Sequence, residues 1–326
     1  MKVPRIYSAL FSITVLLIFV LLGFNIHQHK KRILVLLFSF VTHSLVFAQT
    51  QTSVVETGAK LVKLSGEFKF TEGPAVDKVG NIYFTDQPND RIMKWSIDEK
   101  LTTFMQPSGR SNGLYFDLQG KLIACADNNN ELWIIDLNGN RKTILNNYEG
   151  KLLNGPNDAW VRPQDNAIYF TDPFYKRDYW KRGPMEQDGQ HVYYVSPDRK
   201  TVKRVASDLT QPNGIIGTPD GSTLYIADIG AWTTFVFDIN KDGTLDNKRI
   251  FCSMGSDGMT IDSEGNIYLT GQGVTVFNSE GKKISTISVP EEWTANVSIG
   301  GKDHKTLFIT ASMGLYAIKL RVKGVY

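Results

Sequence analysis

The chain is poor in cysteine, in histidine and in helical pattern. Cys125 and Cys252 are its two cysteines, in 326 residues. Two thiols so far apart make no disulfide framework, and both are expected to be buried and free. Of the 5 histidines, only His191 and His304 lie beyond residue 50. Neither a histidine-based triad nor a histidine zinc site is supported. No stretch after residue 50 shows a helical period, a low-complexity tract or an interdomain linker. A basic surface is missing too. The formal charge is +3, but Lys2, Arg5, Lys30, Lys31 and Arg32 all lie in the first 50 residues, which hold no acid. Setting those five aside leaves 31 basic against 33 acidic residues. That excludes the basic face a nucleic-acid binder needs, and no obligate protein partner is evident.

Long apolar runs are confined to the same first 50 residues. They are Ala9 to Phe24 and Ile33 to Phe47. The second has the grammar of a secretory signal. A basic His29-Lys30-Lys31-Arg32 start leads to an apolar core and a cleavage site at Val46-Phe47-Ala48. Residues 1–48 are therefore expected to be a leader that exports the chain to the periplasm or the medium. The first run falls short of the roughly 20 apolar residues that span a bilayer comfortably. It leaves a membrane anchor over residues 8–24 as the rival, or residues 1–28 as sequence upstream of the true start. No cysteine follows the cleavage site, which argues against a lipid anchor. Residues 49–326 are long enough for one large domain.

That domain is repetitive. Strand phrases begin at Ile82 (Ile-Tyr-Phe-Thr-Asp), Leu122, Ile168 (again Ile-Tyr-Phe-Thr-Asp), Leu224, Ile267 and Leu307. Five of the six follow turns of Gly, Asn or Asp, such as Val79-Gly80-Asn81 and Asp220-Gly221-Ser222. Further short strands rich in aromatic and β-branched residues lie between them. Many short strands at a period near 45 residues predict an all-β, six-bladed β-propeller rather than a sandwich or a solenoid. A strand near Lys60 to Leu64 is available to complete the last blade and leave no open edge.

Ten or eleven places before each phrase stands a polar residue: Glu72, Asn112, Asn157, Asn213, Asp257 and Asn296. The first strand of a propeller blade lines the central channel, so the six converge there. A lone Asn-Gly is an ordinary turn, whereas six aligned polar heads make a column. The column holds two carboxylates and four carboxamides, without His or Cys. Hard oxygen donors suit Ca2+ or Mg2+. Calcium is the expected ion, with Zn2+, Mg2+ and Mn2+ as alternatives.

Glu72-Gly73-Pro74, Asn154-Gly155-Pro156-Asn157-Asp158, Pro212-Asn213-Gly214, Asp257-Gly258-Met259, and Asn296 with Gly300-Gly301 resemble the signature positions of one family. It is the senescence marker protein/gluconolactonase/regucalcin-like family, and the likeness covers about residues 66–320. The resemblance implies a propeller with a divalent metal in its channel, held by Glu72, Asn157, Asn213 and Asp257. Asn112 and Asn296 would lie beside the substrate. The implied chemistry is hydrolysis of a sugar lactone or similar small lactone. The ion polarises the carbonyl, and Asp257 activates water as the general base.

Other features stand beside this reading. Arg110 could bind a substrate hydroxyl or carboxylate. Pro173 to Gln190, an aromatic insertion with Tyr175, Tyr179 and Trp180, could form a lid. Asp86, Asp127, Asp172 and Asp228 read as caps of strand-end turns. Gly109-Arg110-Ser111-Asn112-Gly113 matches a nucleophile elbow, but a strand follows it where a helix is required. Asp238 to Arg249 opens like an EF-hand loop and lacks the glutamate at its twelfth position. Two alternatives to a lactonase remain: hydrolysis of organophosphate-type esters on the same ion, and a propeller that binds a ligand without turnover.

Overall fold

The computed structural model describes residues 53–325. The leader and anchor readings for residues 1–48 lie outside them. Six four-stranded antiparallel sheets form the predicted propeller. Each of the first five blades runs in chain order from the channel outward, as in blade 1: Thr71–Val76, Ile82–Asp86, Arg91–Trp95 and Leu101–Met105. The sixth is closed from the other end of the chain. Val62–Ser65 pairs antiparallel with Gly314–Lys319, outside Thr306–Ala311 and Thr294–Gly300. This is the expected ring closure, by a strand that starts two residues and ends one residue later than the sequence suggested.

The repeated phrases are the second strands, and their burial explains their composition. Ile82–Asp86, Leu122–Ala126, Ile168–Asp172 and Ile267–Gly271 are buried at every position. A strand packed on both faces reads as a continuous apolar run rather than an alternation. The outermost strands face water, as Leu245–Cys252 does along most of its length. Cys125 and Cys252 are free and buried, as expected. Among the described residues the one helical segment is a 3-10 turn at Gln87–Asn89, and no helix is long and apolar enough to cross a membrane.

Three devices fix the inner strand heads. First, the inner ladder is irregular near each head in blades 1, 2, 4 and 6. The breaks fall between Glu72 and Ala75, Ser111 and Leu114, Pro212 and Ile215, and Thr294 and Asn296. Such bulges re-aim side chains. Second, threonines of the second strands tie the strand heads of blades 2, 4 and 6 to the blade before. Thr85 donates to the Asn112 carbonyl at 3.0 Å, Thr171 to that of Asn213 at 2.7 Å and Thr270 to that of Ala295 at 2.8 Å. Third, the glycine after a head lets the next blade approach. A Cβ on Gly73 would lie 2.2 Å from the Asn112 carbonyl oxygen, and one on Gly258 1.9 Å from Asn296 Cγ.

The strand-end aspartates work one step behind these heads. Asp172 accepts the Asn154 and Gly155 N–H groups, both at 2.8 Å. Asp228 does the same for Thr210 and Gln211, at 2.7 and 2.8 Å. Asp86 takes Lys69 N–H at 3.0 Å. Each carboxylate thus holds the loop that enters the inner strand of its own blade. Asp127 departs from the pattern. It accepts from the Tyr179 hydroxyl and from Arg177 Nε at 3.0 Å, so it grips the insertion instead.

Candidate active site in the central channel

The channel has two chambers. The one at the strand heads has a volume of about 570 Å³, and Glu72, Asn112, Asn157 and Asp257 line it. Phe70, Tyr175, Tyr179 and Trp293 form an aromatic part of its wall. The second chamber, about 170 Å³, lies between the later parts of the same inner strands and is mostly apolar. Asp158 and Asn296 stand at its polar end.

Asp257 is held from two sides. Its Oδ1 accepts Asn213 Nδ2 at 2.9 Å, and its Oδ2 accepts Trp293 Nε1 at 2.5 Å. Asn213 stands directly behind the chamber wall and also donates to the Tyr175 hydroxyl at 2.8 Å. Both amide hydrogens of Asn213 are thereby used, which fixes the direction of its oxygen. Glu72 Oε2 accepts the Gly73 N–H at 2.7 Å and Asn296 Nδ2 at 3.4 Å. Asn296 Nδ2 also lies 3.0 Å from one Asp158 oxygen and 3.1 Å from the other.

Two of the expected substrate contacts, Asn296 and Arg110, are not among the residues lining the strand-head chamber. Asn296 serves Glu72 and Asp158 between the chambers. Arg110 does not line the strand-head chamber. Its guanidinium donates to the Pro88 carbonyl at 2.9 Å and stacks 4.4 Å from the Tyr179 ring centre. Its backbone adopts a positive φ of 47°, with its N–H on Asp90 at 2.6 Å. Arg110 therefore buttresses the insertion.

Three residues carry more of the site than the sequence pattern conveys. Asp158 follows Asn157 where blades 1, 2, 4 and 5 have glycine. It looks like a turn residue there, yet its buried carboxyl faces the channel. Trp293 lies outside the repeated column, and Tyr175 reaches the channel from the insertion. The break in the glycine pattern at Asp158 was the available signal.

Charge is crowded here. Burial pushes the Asp257 carboxyl up to about 6, although the Trp293 and Asn213 donors pull it down. Burial, then the neighbouring Asp257, lifts Asp158 to about 8. Burial, then Asp257 and Asp158, holds Glu72 well above the usual carboxylate range. Three carboxyls in one low-dielectric space cannot all ionise without a counter-charge.

The donors fit a hard cation. The buried Oδ1 atoms of Asn213 and Asn112 have no hydrogen-bond partner, and buried acceptors are rarely left so. Among the described residues no three His, Cys, Asp or Glu side chains come together as a metal-holding group. A donor set at the strand heads must therefore include carboxamides. Glu72, Asn157, Asn213 and Asp257 would supply it with oxygen alone, as calcium prefers.

Comparison with known proteins agrees with this architecture. Residues 70–313 match the family model described as the SMP-30/Gluconolactonase/LRE-like region. A gluconolactonase of Zymomonas mobilis is 25% identical over 309 residues, covering 85% of this chain and 86% of the relative. The solved gluconolactonase of Xanthomonas campestris has a TM-score of 0.76 at 29% identity, over 82% of this chain and 91% of that one. The calcium-binding protein regucalcin of Agrobacterium tumefaciens shares the fold, with a TM-score of 0.69 at 20% identity, over 81% of this chain and 95% of its own. The chain belongs to the SMP-30/gluconolactonase/LRE-like family.

Proposed function

We propose that this protein is a lactonase that opens a sugar lactone or similar small lactone, with one calcium ion at the strand heads. One observation carries the ion: unpartnered carboxamide oxygens and buried, crowded carboxyls meet around a single polar chamber. The family relationship supports lactone hydrolysis. Glu72, Asn157, Asn213 and Asp257 would hold the ion, and Asn112 would face the substrate. Bound there, calcium supplies a Lewis acid for the lactone carbonyl.

The chain's own residues provide the rest. Asp257 is oriented by Trp293 and Asn213 and acts as the base. It takes a proton from water as the water oxygen bonds to the carbonyl carbon. The carbonyl π pair moves onto oxygen. When that pair returns, the ring C–O bond breaks, and the ring oxygen receives the proton from Asp257. The product is the open hydroxy acid. Phe70, Tyr175 and Trp293 would offer an apolar wall to the carbon skeleton of the lactone.

Turnover of gluconolactone with and without a chelator tests the reading. Chelation should abolish enzymatic hydrolysis, and added calcium should restore it. Glu72→Gln should weaken calcium binding, and Asp257→Asn should lower kcat by about 100-fold or more. Undiminished hydrolysis by a preparation shown to be metal-free would overturn the proposal.

A further inference from the structure

The insertion between the second and third strands of blade 3 is fastened across blade 2. The Tyr179 hydroxyl and Arg177 Nε both bond the Asp127 carboxylate, and Trp180 Nε1 donates to the Asp127 carbonyl at 2.7 Å. Gln87 Nε2 joins the same carboxylate at 3.3 Å, and Arg110 stacks on the Tyr179 ring. At the other end, the Phe174 N–H donates to Gln190 Oε1 at 2.7 Å. These contacts hold the segment between them, including Tyr175, over the strand-head chamber.

Tyr175 is the residue they deliver. Its ring lies on the chamber wall, with the Arg177 guanidinium 5.2 Å from the ring centre. Its hydroxyl oxygen accepts Asn213 Nδ2 at 2.8 Å. A phenol has one hydrogen to give as well as lone pairs to receive. That hydrogen has no acceptor among the described residues. Two other uncharged donors nearby are already used: Trp293 Nε1 on Asp257, and the Gly73 N–H on Glu72.

We infer that Tyr175 is a catalytic residue whose hydroxyl donates a hydrogen bond to the lactone's carbonyl oxygen as that oxygen gains negative charge. The inference rests on the lactonase reading and adds to it a second electrophilic contact, supplied by the insertion. No proton is transferred. The Tyr175 hydrogen stays on the phenol oxygen throughout, while the water proton travels by way of Asp257. A preorganised donor of this kind acts mainly on the transition state, and its loss costs kcat rather than KM.

The test is Tyr175→Phe, with gluconolactone kinetics at saturating calcium and calcium affinity measured by calorimetry. Amide exchange over residues 173–190 reports whether the insertion stays seated. The expected result is a kcat lower by about 100-fold, with KM and the calcium Kd little changed and exchange unaltered. A kcat close to that of the parent protein overturns the inference while leaving the lactonase reading intact. So does a loss matched by a weaker calcium Kd, which would make Tyr175 a positioning residue acting through Asn213. A loss that tracks release of the insertion overturns it as well. A parent protein that hydrolyses no lactone overturns both readings together.

Discussion

Asp257 raises both Glu72 and Asp158 by its charge, and its own environment gives a pH dependence with a definite sign. Burial lifts its carboxyl to about 6, above the value in an unfolded chain. In the metal-free protein the native state therefore binds this proton more tightly than the unfolded state does. The group's contribution to stability is present at low pH and is lost as pH rises through about 6. Asp158, lifted to about 8, acts in the same direction. Calcium reverses the balance, because it needs the ionised carboxylate and expels the proton. Calcium should thus raise the melting temperature more at about pH 8 than at about pH 5, and thermal melts with and without the ion at both values will show it. Equal gains at the two pH values would rule out carboxylate ligation.

How much of the site can be read from the chain depends on distance along it. The offset from each head to its strand is local, so Glu72, Asn112, Asn157, Asn213 and Asp257 emerge from spacing alone. The Asp158–Asn296 contact joins residues 138 apart in sequence. Only closure of the ring creates it, and no local pattern announces it. Arg110 shows the converse. Its position beside Asn112 makes it a candidate substrate contact, whereas its positive φ and its stacking on the Tyr179 ring are legible only in the fold.

Among the elements, the strand Val62–Ser65 matters most for its size. It covers the edge of Gly314–Lys319, pairing from Val62 opposite Ala317 to Ser65 opposite Leu315 with a register shift between Lys63 and Ser65. Lys63 adds an ion pair to Glu291 at 3.1 Å, and the Glu291 carboxylate in turn accepts the Tyr316 hydroxyl. The exposed pair adds little by itself, so the value of the strand lies in the ladder it completes. A chain shortened to begin at Gly66 should melt several degrees lower and associate through the bared edge. Calorimetry with light scattering checks both effects, and an unchanged, monodisperse melt would show that the closure is dispensable. This element was legible because an unpaired strand remained before the first repeat. The irregular ladders at the heads were not, because a bulge leaves the apolar pattern of its strand almost unaltered.

For the whole molecule, the propeller turns six weak local signals into one site. Blades 1 and 5 bring the two carboxylates, blades 3 and 4 bring carboxamides, and the insertion of blade 3 spans to blade 2 to complete the wall. Conversion of a radial repeat into a convergent site requires close approach between neighbouring heads, which is why glycine follows four of them. The same geometry separates a chamber lined by acidic and amide side chains at the heads from one lined mostly by apolar residues beyond, with Asp158 and Asn296 between. The central claim is that four of the six heads hold one calcium ion at the place where a lactone opens. A crystal structure of the calcium-loaded protein tests it most directly. One ion bound by oxygens of Glu72, Asn157, Asn213 and Asp257 is the result predicted. An ion seated elsewhere, or a strand-head chamber that takes none at saturating calcium, would contradict it.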